Sequence, residues 1–137
     1  MKIDPYLTFD GQCEAAFKFY AQCLGGILET LLTYGETPAS DDVPADHRSK
    51  IAHARLAVGD QVLMGSDSHP GCPYASIRGS SVSLNIDRTT EAERVFNALA
   101  DQGTVQMPLQ QTFWAARFGM LVDRFGVPWM INCEKDQ

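Results

Sequence analysis

The chain is expected to fold as an α+β domain in which a βαβββ module occurs twice, giving a curved eight-stranded mixed sheet system around a cleft. Three observations carry this expectation: an internal repeat, an amphipathic helical stripe in each copy, and strand-like alternation between the stripes. Sliding the chain along itself by 77 residues aligns Leu7–Gly26 with Leu84–Gly103, and seven of those twenty pairs are identical, among them Leu7/Leu84, Asp10/Asp87, Phe19/Phe96 and Gly26/Gly103. Self-similarity of this kind signals a repeated supersecondary unit. Further on, Ala54-Arg55 matches Ala116-Arg117 at an offset of 62, so the first copy holds a longer insertion. The polar, acidic segment Gly35–Arg48 (GETPASDDVPADHR) supplies it. Module 1 is taken as residues 1–66, a connection as 67–79, and module 2 as 80–137.

Each element follows from its pattern. Lys2–Phe9 alternates as a strand, and Asp10 is placed to cap a helix whose apolar stripe is Cys13, Ala16, Phe17, Tyr20 and Leu24. Gly25-Gly26 stops that helix. Ile27–Tyr34 is rich in strand formers, and Ile51–Val58 and Gln61–Ser66 flank Gly59-Asp60 as a hairpin. In the second copy Ser81–Ile86 is a strand, and Thr90-x-x-Glu93 reads as a capping box. The stripe Ala92, Val95, Phe96 and Leu99 follows, closed by Gly103. Thr104–Gln110, Thr112–Val122 and Val127–Cys133 are three more strands, the last two joined by Asp123-Arg124-Phe125-Gly126.

Length and composition exclude several classes. The chain has 137 residues, 17 acidic against 11 basic, and a net charge of −6. A domain of this size buries roughly 70% of its unfolded surface, so it needs no disulfide or structural metal to fold. The acidic balance speaks against nucleic-acid binding and against anionic membranes. No apolar run approaches the roughly 18 residues of a membrane span, and Met1–Pro5 has no signal-peptide core, so a cytoplasmic location is expected. The four cysteines, Cys13, Cys23, Cys72 and Cys133, contain no C-x-x-C pair and are read as free, mostly structural thiols.

Alternation also divides each strand into two faces. Ile3, Pro5, Leu7 and Phe9 oppose Asp4, Tyr6 and Thr8; Val82, Leu84 and Ile86 oppose Ser81, Ser83 and Asn85. Ala52, Ala54, Leu56 and Val58 are expected under the helix, with His53 and Arg55 across from them. Extending the repeat puts Ala116, Phe118 and Met120 under the second helix and Arg117 opposite. Trp129 and Ile131 oppose Pro128, Met130 and Asn132. The polar sets then define a candidate ligand-binding surface: Tyr6, Thr8, His53, Arg55, Ser83, Asn85 and Arg117. The two arginines suit bidentate capture of a carboxylate or phosphate, or pairing with Asp123 or another acid. His53 is a candidate base or ligand contact, or a satisfied strand histidine. His47 and His69 are read as solvated loop residues, Trp114, Trp129 and Phe125 as core and turn packing, and Asp123 as shaping its hairpin.

Pro5-Tyr6-Leu7, Glu14-Ala15-Ala16-Phe17-x-Phe19-Tyr20-x-x-x-Leu24-Gly25-Gly26 and Phe113-Trp114-x-x-Arg117-Phe118-Gly119-x-x-x-Asp123-x-Phe125-Gly126-x-x-Trp129 resemble the PhnB-like branch of the vicinal oxygen chelate superfamily. So does His53-Ala54-x-Leu56 with Asp67 after the next strand. That superfamily includes glyoxalase I, bleomycin-resistance proteins and extradiol dioxygenases, and the resemblance runs over nearly the whole chain. It implies the tandem βαβββ fold and a homodimer. Members of the branch often carry the label of a demethylubiquinone methyltransferase domain, but this sequence has no Gly-rich βαβ start for a methyl donor's nucleoside.

In the metal-bearing members that the chain resembles, the ligands are His, Gln or Glu on the first and fifth strands and His or Glu on the fourth and eighth. Carried over, those positions fall near Asp4, Met64, Ser81 and Met130. A hydroxyl and two thioethers are poor ligands for a hard or borderline divalent cation, so no metal and no cofactor is expected. The reading is a protein that binds a small polar metabolite without a metal. Two alternatives stand beside it. One is a metal-dependent lyase or dioxygenase using His53 with Asp67 or Glu36, and the other is a structural or regulatory dimer.

Overall fold

The computed structural model describes residues 1–134; residues 135–137, the tail of the expected second module, lie outside them. The order is β1 (Tyr6–Phe9), α1 (Cys13–Leu24), β2 (Ile27–Thr33), β3 (Ile51–Val58), β4 (Gln61–Asp67), β5 (Val82–Asn85), α2 (Thr89–Ala100), β6 (Thr104–Gln110), β7 (Ala115–Val122) and β8 (Pro128–Glu134). This is βαβββ twice, an α+β fold with two mixed four-stranded sheets ordered β1-β4-β3-β2 and β5-β8-β7-β6. Each sheet has one parallel pair, β1 with β4 and β5 with β8, and is otherwise antiparallel. The chain divides into two compact units, Met1–Ala75 and Ser76–Gln137.

In the first unit, α1 buries Cys13, Ala16, Phe17, Tyr20 and Cys23. Cys23 takes the place expected for Leu24. The Phe17 ring lies on Gly65 of β4, where an added Cβ would come within 2.7 Å of the ring. Leu7, Phe9, Ala54, Leu56 and Leu63 complete the layer beneath it. Burying five or so side chains of this size supplies about 1.5–3 kcal/mol each, the main favourable term in holding helix to sheet. Gly25 ends α1 with φ +71°, as a left-handed C-cap requires.

Several local expectations are corrected. Strand β1 starts at Tyr6, so Ile3 and Pro5 lie outside it and are exposed. Asp10 does not cap α1, whose N-cap is Gln12; the carboxylate of Asp67, from the far end of β4, accepts the Cys13 N–H instead. The Thr90–Glu93 capping box is not formed, because α2 begins at Thr89 and Glu93 is engaged elsewhere. Past the end of α2 the left-handed residue is Gln102, at φ +61°, and Gly103 N donates to the Ala100 carbonyl at 2.8 Å. In β3 the ladder skips Ala52 between the pairs Thr33/Ile51 and Leu32/His53, so Ile51, not Ala52, reaches the core.

The insertion after β2 is ordered against its own unit by three short 3₁₀ turns, Tyr34–Glu36, Ser40–Asp42 and Ala45–His47. Arg48 Nε donates to the Ser40 and Val43 carbonyls, and Val43 is buried.

Candidate functional site

Cross-strand partners share a face, so the ladders place each side chain. In the first unit Tyr6 pairs with Met64, Thr8 with Ser66, Arg55 with Met64 and with Thr30, and His53 with Leu32. All lie opposite the buried set Leu7, Ala54, Leu56 and Leu63. Tyr6, Thr8, His53 and Arg55 are therefore together on the face turned away from α1. The Tyr6 hydroxyl and His53 Nδ1 are 3.2 Å apart, and their rings stack with centroids 5.8 Å apart and 21° between planes. The pair is half-exposed, so it presents a phenol and an imidazole to solvent in a fixed mutual geometry. Arg55 Nε holds Glu29 at 3.0 Å, at the outer strand of the same sheet.

In the second unit Ser83 pairs with Met130, Asn85 with Asn132, Phe118 with Asn132, and Met120 with Met130. Trp129, Ile131 and Leu121 are buried on the α2 side, so Ser83, Asn85, Phe118, Met120, Met130 and Asn132 occupy the other face. The Asn132 side-chain nitrogen donates to Asn85 Oδ1 at 3.1 Å.

Arg117 does not join this face, and the expected placement of β7 is corrected. Gly119 and Leu121 are buried toward α2; an added Cβ on Gly119 would lie 2.7 Å from the Phe96 ring. Arg117, two residues before Gly119, is on the same side: it pairs across the ladder with buried Cys133 and reaches Glu93 of α2 at 3.2 Å. Phe118 and Met120 accordingly turn away from α2, not toward it. From Arg117 to Val122 the ladder with β8 runs without a break, so Arg117, Gly119 and Leu121 share one face by simple alternation.

Other residues settle into structural roles. Asp67 is buried, with Oδ1 accepting from Cys13 N at 3.0 Å and Oδ2 from Ile51 N at 2.8 Å. Asp123 Oδ1 accepts from Phe125 N and Val127 N, and its Oδ2 from Trp129 Nε1 at 2.8 Å, so it does shape its hairpin. Trp129 is core, whereas Trp114 is 49% exposed and not core packing. His69 is exposed, but His47 is only partly so: its ring lies 5.0 Å from that of Tyr34, with Nε2 shielded and without a partner. Tyr34 donates to the Asp67 carbonyl, and burial, followed by the nearby Tyr6 and Asp67, raises its pKa above the usual tyrosine value. Sequence reasoning missed Tyr34, Phe118 and Trp114; an aromatic pair at a hairpin tip was the available signal for the last.

The donors for a metal do not fit. Met64 and Met130 sit mid-strand on the faces away from the helices, Asp4 and Ser81 lie just outside β1 and β5, and among the described residues no group of three or more His, Cys, Asp or Glu converges. The alternative set also stays apart. Asp67 is spent on backbone amides, Glu36 Oε1 accepts from Thr33 N and Oγ1, and His53 faces Tyr6. Among the described residues no helix is long and apolar enough to cross a membrane.

Comparison with known proteins matches residues 1–132 to the family model described as 3-demethylubiquinone-9 3-methyltransferase. The chain is 37% identical to the protein YjdN of Escherichia coli K12, covering all of this chain and 98% of that one. Among solved structures it resembles protein PA1353 of Pseudomonas aeruginosa, at 58% identity, TM-score 0.91 and 99% coverage of both chains. It also resembles a PhnB protein from Bacillus cereus, at 25% identity, TM-score 0.79 and 97% and 99% coverage. The fosfomycin resistance protein FosX of Listeria monocytogenes shares the fold alone, at 6% identity, TM-score 0.66 and 98% and 94% coverage.

Proposed function

Starting from a chain that belongs to the 3-demethylubiquinone-9 3-methyltransferase family, is similar to a PhnB protein and shares the fold of FosX, we propose that it binds a small polar metabolite on the sheet faces turned away from its helices, without a metal. The observation that carries this reading is the Tyr6–His53 pair. A hydrogen-bonded, stacked phenol and imidazole held half-exposed on a strand face offer both a donor and an acceptor at no ordering cost. Thr8 and Arg55 stand on the same face, and Ser83 and Asn85 on the corresponding face of the second unit. Arg117 is left out, because it stands on the α2 side of its sheet beside Glu93, whereas Arg55, though paired with Glu29, stands on the face turned away from α1.

Methyl transfer is not part of the proposal. The strand-to-helix junctions Asp10-Gly11-Gln12 and Ile86-Asp87-Arg88 hold one glycine and none, unlike the Gly-rich turn that lets a backbone approach a nucleoside cofactor. The same reading has the protein acting in the cytoplasm as a homodimer; Ile27, 72% exposed on the outer strand β2, is the kind of edge a second copy covers.

Thermal unfolding of chelator-treated protein against a panel of small carboxylates, phosphates and amides tests the proposal. A binder at a hundred times its Kd stabilises by about 2.7 kcal/mol. That shift should appear without added metal and be lost in Tyr6→Phe and His53→Ala. Uniform absence of stabilisation, or stabilisation only after a divalent ion is restored, rejects it. Sedimentation of the purified protein tests the dimer, and a monomer at micromolar concentration rejects that part.

A further inference from the structure

The second unit carries a feature that narrows its ligand, and the inference drawn from it rests on the reading of the sheet faces as binding surfaces. The loop between β6 and β7 is a fastened turn: Thr112 N donates to the Ala115 carbonyl and Ala115 N to Thr112 Oγ1, both at 3.0 Å. Turn tips favour Gly, Pro, Asn and Asp. Here the tip is Phe113-Trp114, with Phe113 87% exposed. Trp114 packs edge-on against Phe113 at 4.7 Å and against Phe118 at 5.5 Å, and Phe118 pairs with Asn132 on the face away from α2. Folding gains little from aromatic surface left in water, so rigid exposed rings beside a polar floor mark a contact surface.

The floor has an unmet need. Asn132 gives its amide hydrogen to Asn85, yet its Oδ1 is shielded from solvent and accepts nothing. A shielded acceptor without a donor is costly, and a ligand that supplies the donor recovers that cost. Met120 and Met130, paired on the same face, offer thioether contacts to a ring. The first unit has no counterpart: Thr8 stands where Asn85 does in the repeat, paired with Ser66.

We propose that Trp114, Phe118, Asn85 and Asn132 form a site for a flat aromatic heterocycle, whose ring stacks on Trp114 with Phe118 against its rim and whose edge N–H donates to Asn132 Oδ1. The two units then take different chemistry: hydroxyl, imidazole and guanidinium in the first, stacking with one amide reading in the second.

The test is an NMR titration of the ¹⁵N-labelled full chain with 2-quinolone and with N-methyl-2-quinolone, which has the same ring without the donor. Quinolone should shift the Trp114 indole and Asn132 side-chain amide signals, and the methylated ring should bind at least about tenfold more weakly. Trp114→Ala should weaken both. Asn132→Leu should abolish the difference, and Asn132→Asp, which keeps an acceptor, should preserve it. Equal affinity for the two rings, shifts that spare Trp114 and Asn132, or no binding of either overturns the inference. If ring-free carboxylates or phosphates still shift Tyr6 and His53 in that last case, only this inference falls; if nothing shifts either face, the broader reading falls with it.

Discussion

The carboxylate of Asp67 caps helix α1 from outside the helix, accepting the Cys13 N–H at 3.0 Å. Its second oxygen takes the Ile51 N–H at 2.8 Å, so one buried side chain joins the helix start, the end of β4 and the beginning of β3. Charge-assisted bonds to backbone donors are the stronger class, and removing them strands buried amides. Asp67→Ala should cost about 1–3 kcal/mol or more, measured by urea unfolding. Stability equal to the parent would show that the contact does not hold α1.

Phe96 packs on Gly119 without room for a methyl group. A Cβ there would meet the Phe96 ring at 2.7 Å and the Leu109 backbone at 3.0 Å. Because backbone on one side prevents simple rotation away, Gly119→Ala should destabilise by about 1–3 kcal/mol. Gly126→Ala tests a different cause: nothing surrounds that position, but its φ of +86° disfavours a side chain. Paired unfolding curves with losses in both variants are expected; a neutral Gly119→Ala contradicts the packing described for α2.

Arg117 pairs with Glu93 at a partly exposed surface. Such pairs contribute about 0–1 kcal/mol. Arg117→Ala should therefore unfold within about 1 kcal/mol of the parent and leave metabolite-induced thermal shifts unchanged. Loss of those shifts would return Arg117 to the ligand face.

The four cysteines are free, and Cys72 is the exposed one, with Cys13, Cys23 and Cys133 buried. Burial, with the negative charges of Asp67 and Glu14, pushes the Cys13 thiol well above its usual value near 9. A thiol reagent at pH 8 should modify one group rapidly and the other three only on unfolding. Above about pH 9 the unfolded chain loses the Cys13 proton while the folded chain keeps it, so stability falls as pH rises through that range. Cys13→Ala should flatten that decline. Rapid modification of more than one thiol, or an unchanged decline in Cys13→Ala, contradicts this account.

The order of elements was legible because each helix stripe and most strands carry a clear period. The repeat itself was legible only in part. Leu7 and Leu84 do correspond, but in the helices the buried positions Cys13, Ala16, Phe17 and Tyr20 match Ala92, Val95, Phe96 and Leu99, an offset of 79. The identity Phe19/Phe96 therefore joins residues that do different things. In the strands, Ala54 and Leu56 match Gly119 and Leu121, an offset of 65, where the Ala-Arg identity suggested 62. An odd difference exchanges the two faces of a strand, which is why Arg55 was placed correctly and Arg117 was not. Asp67 escaped as a helix cap because 54 residues separate it from Cys13, a contact no local pattern encodes. The amide pair Asn85–Asn132, 47 residues apart, was visible only once β5 and β8 were paired.

Metal-independent ligand binding on the faces turned away from the helices can be mapped by NMR shifts on chelator-treated protein as small carboxylates, phosphates and amides are added. Saturable shifts at Tyr6, Thr8, His53 and Arg55 are expected with no metal present. Shifts confined to α1 and α2, or shifts that appear only when a divalent cation is restored, would contradict it.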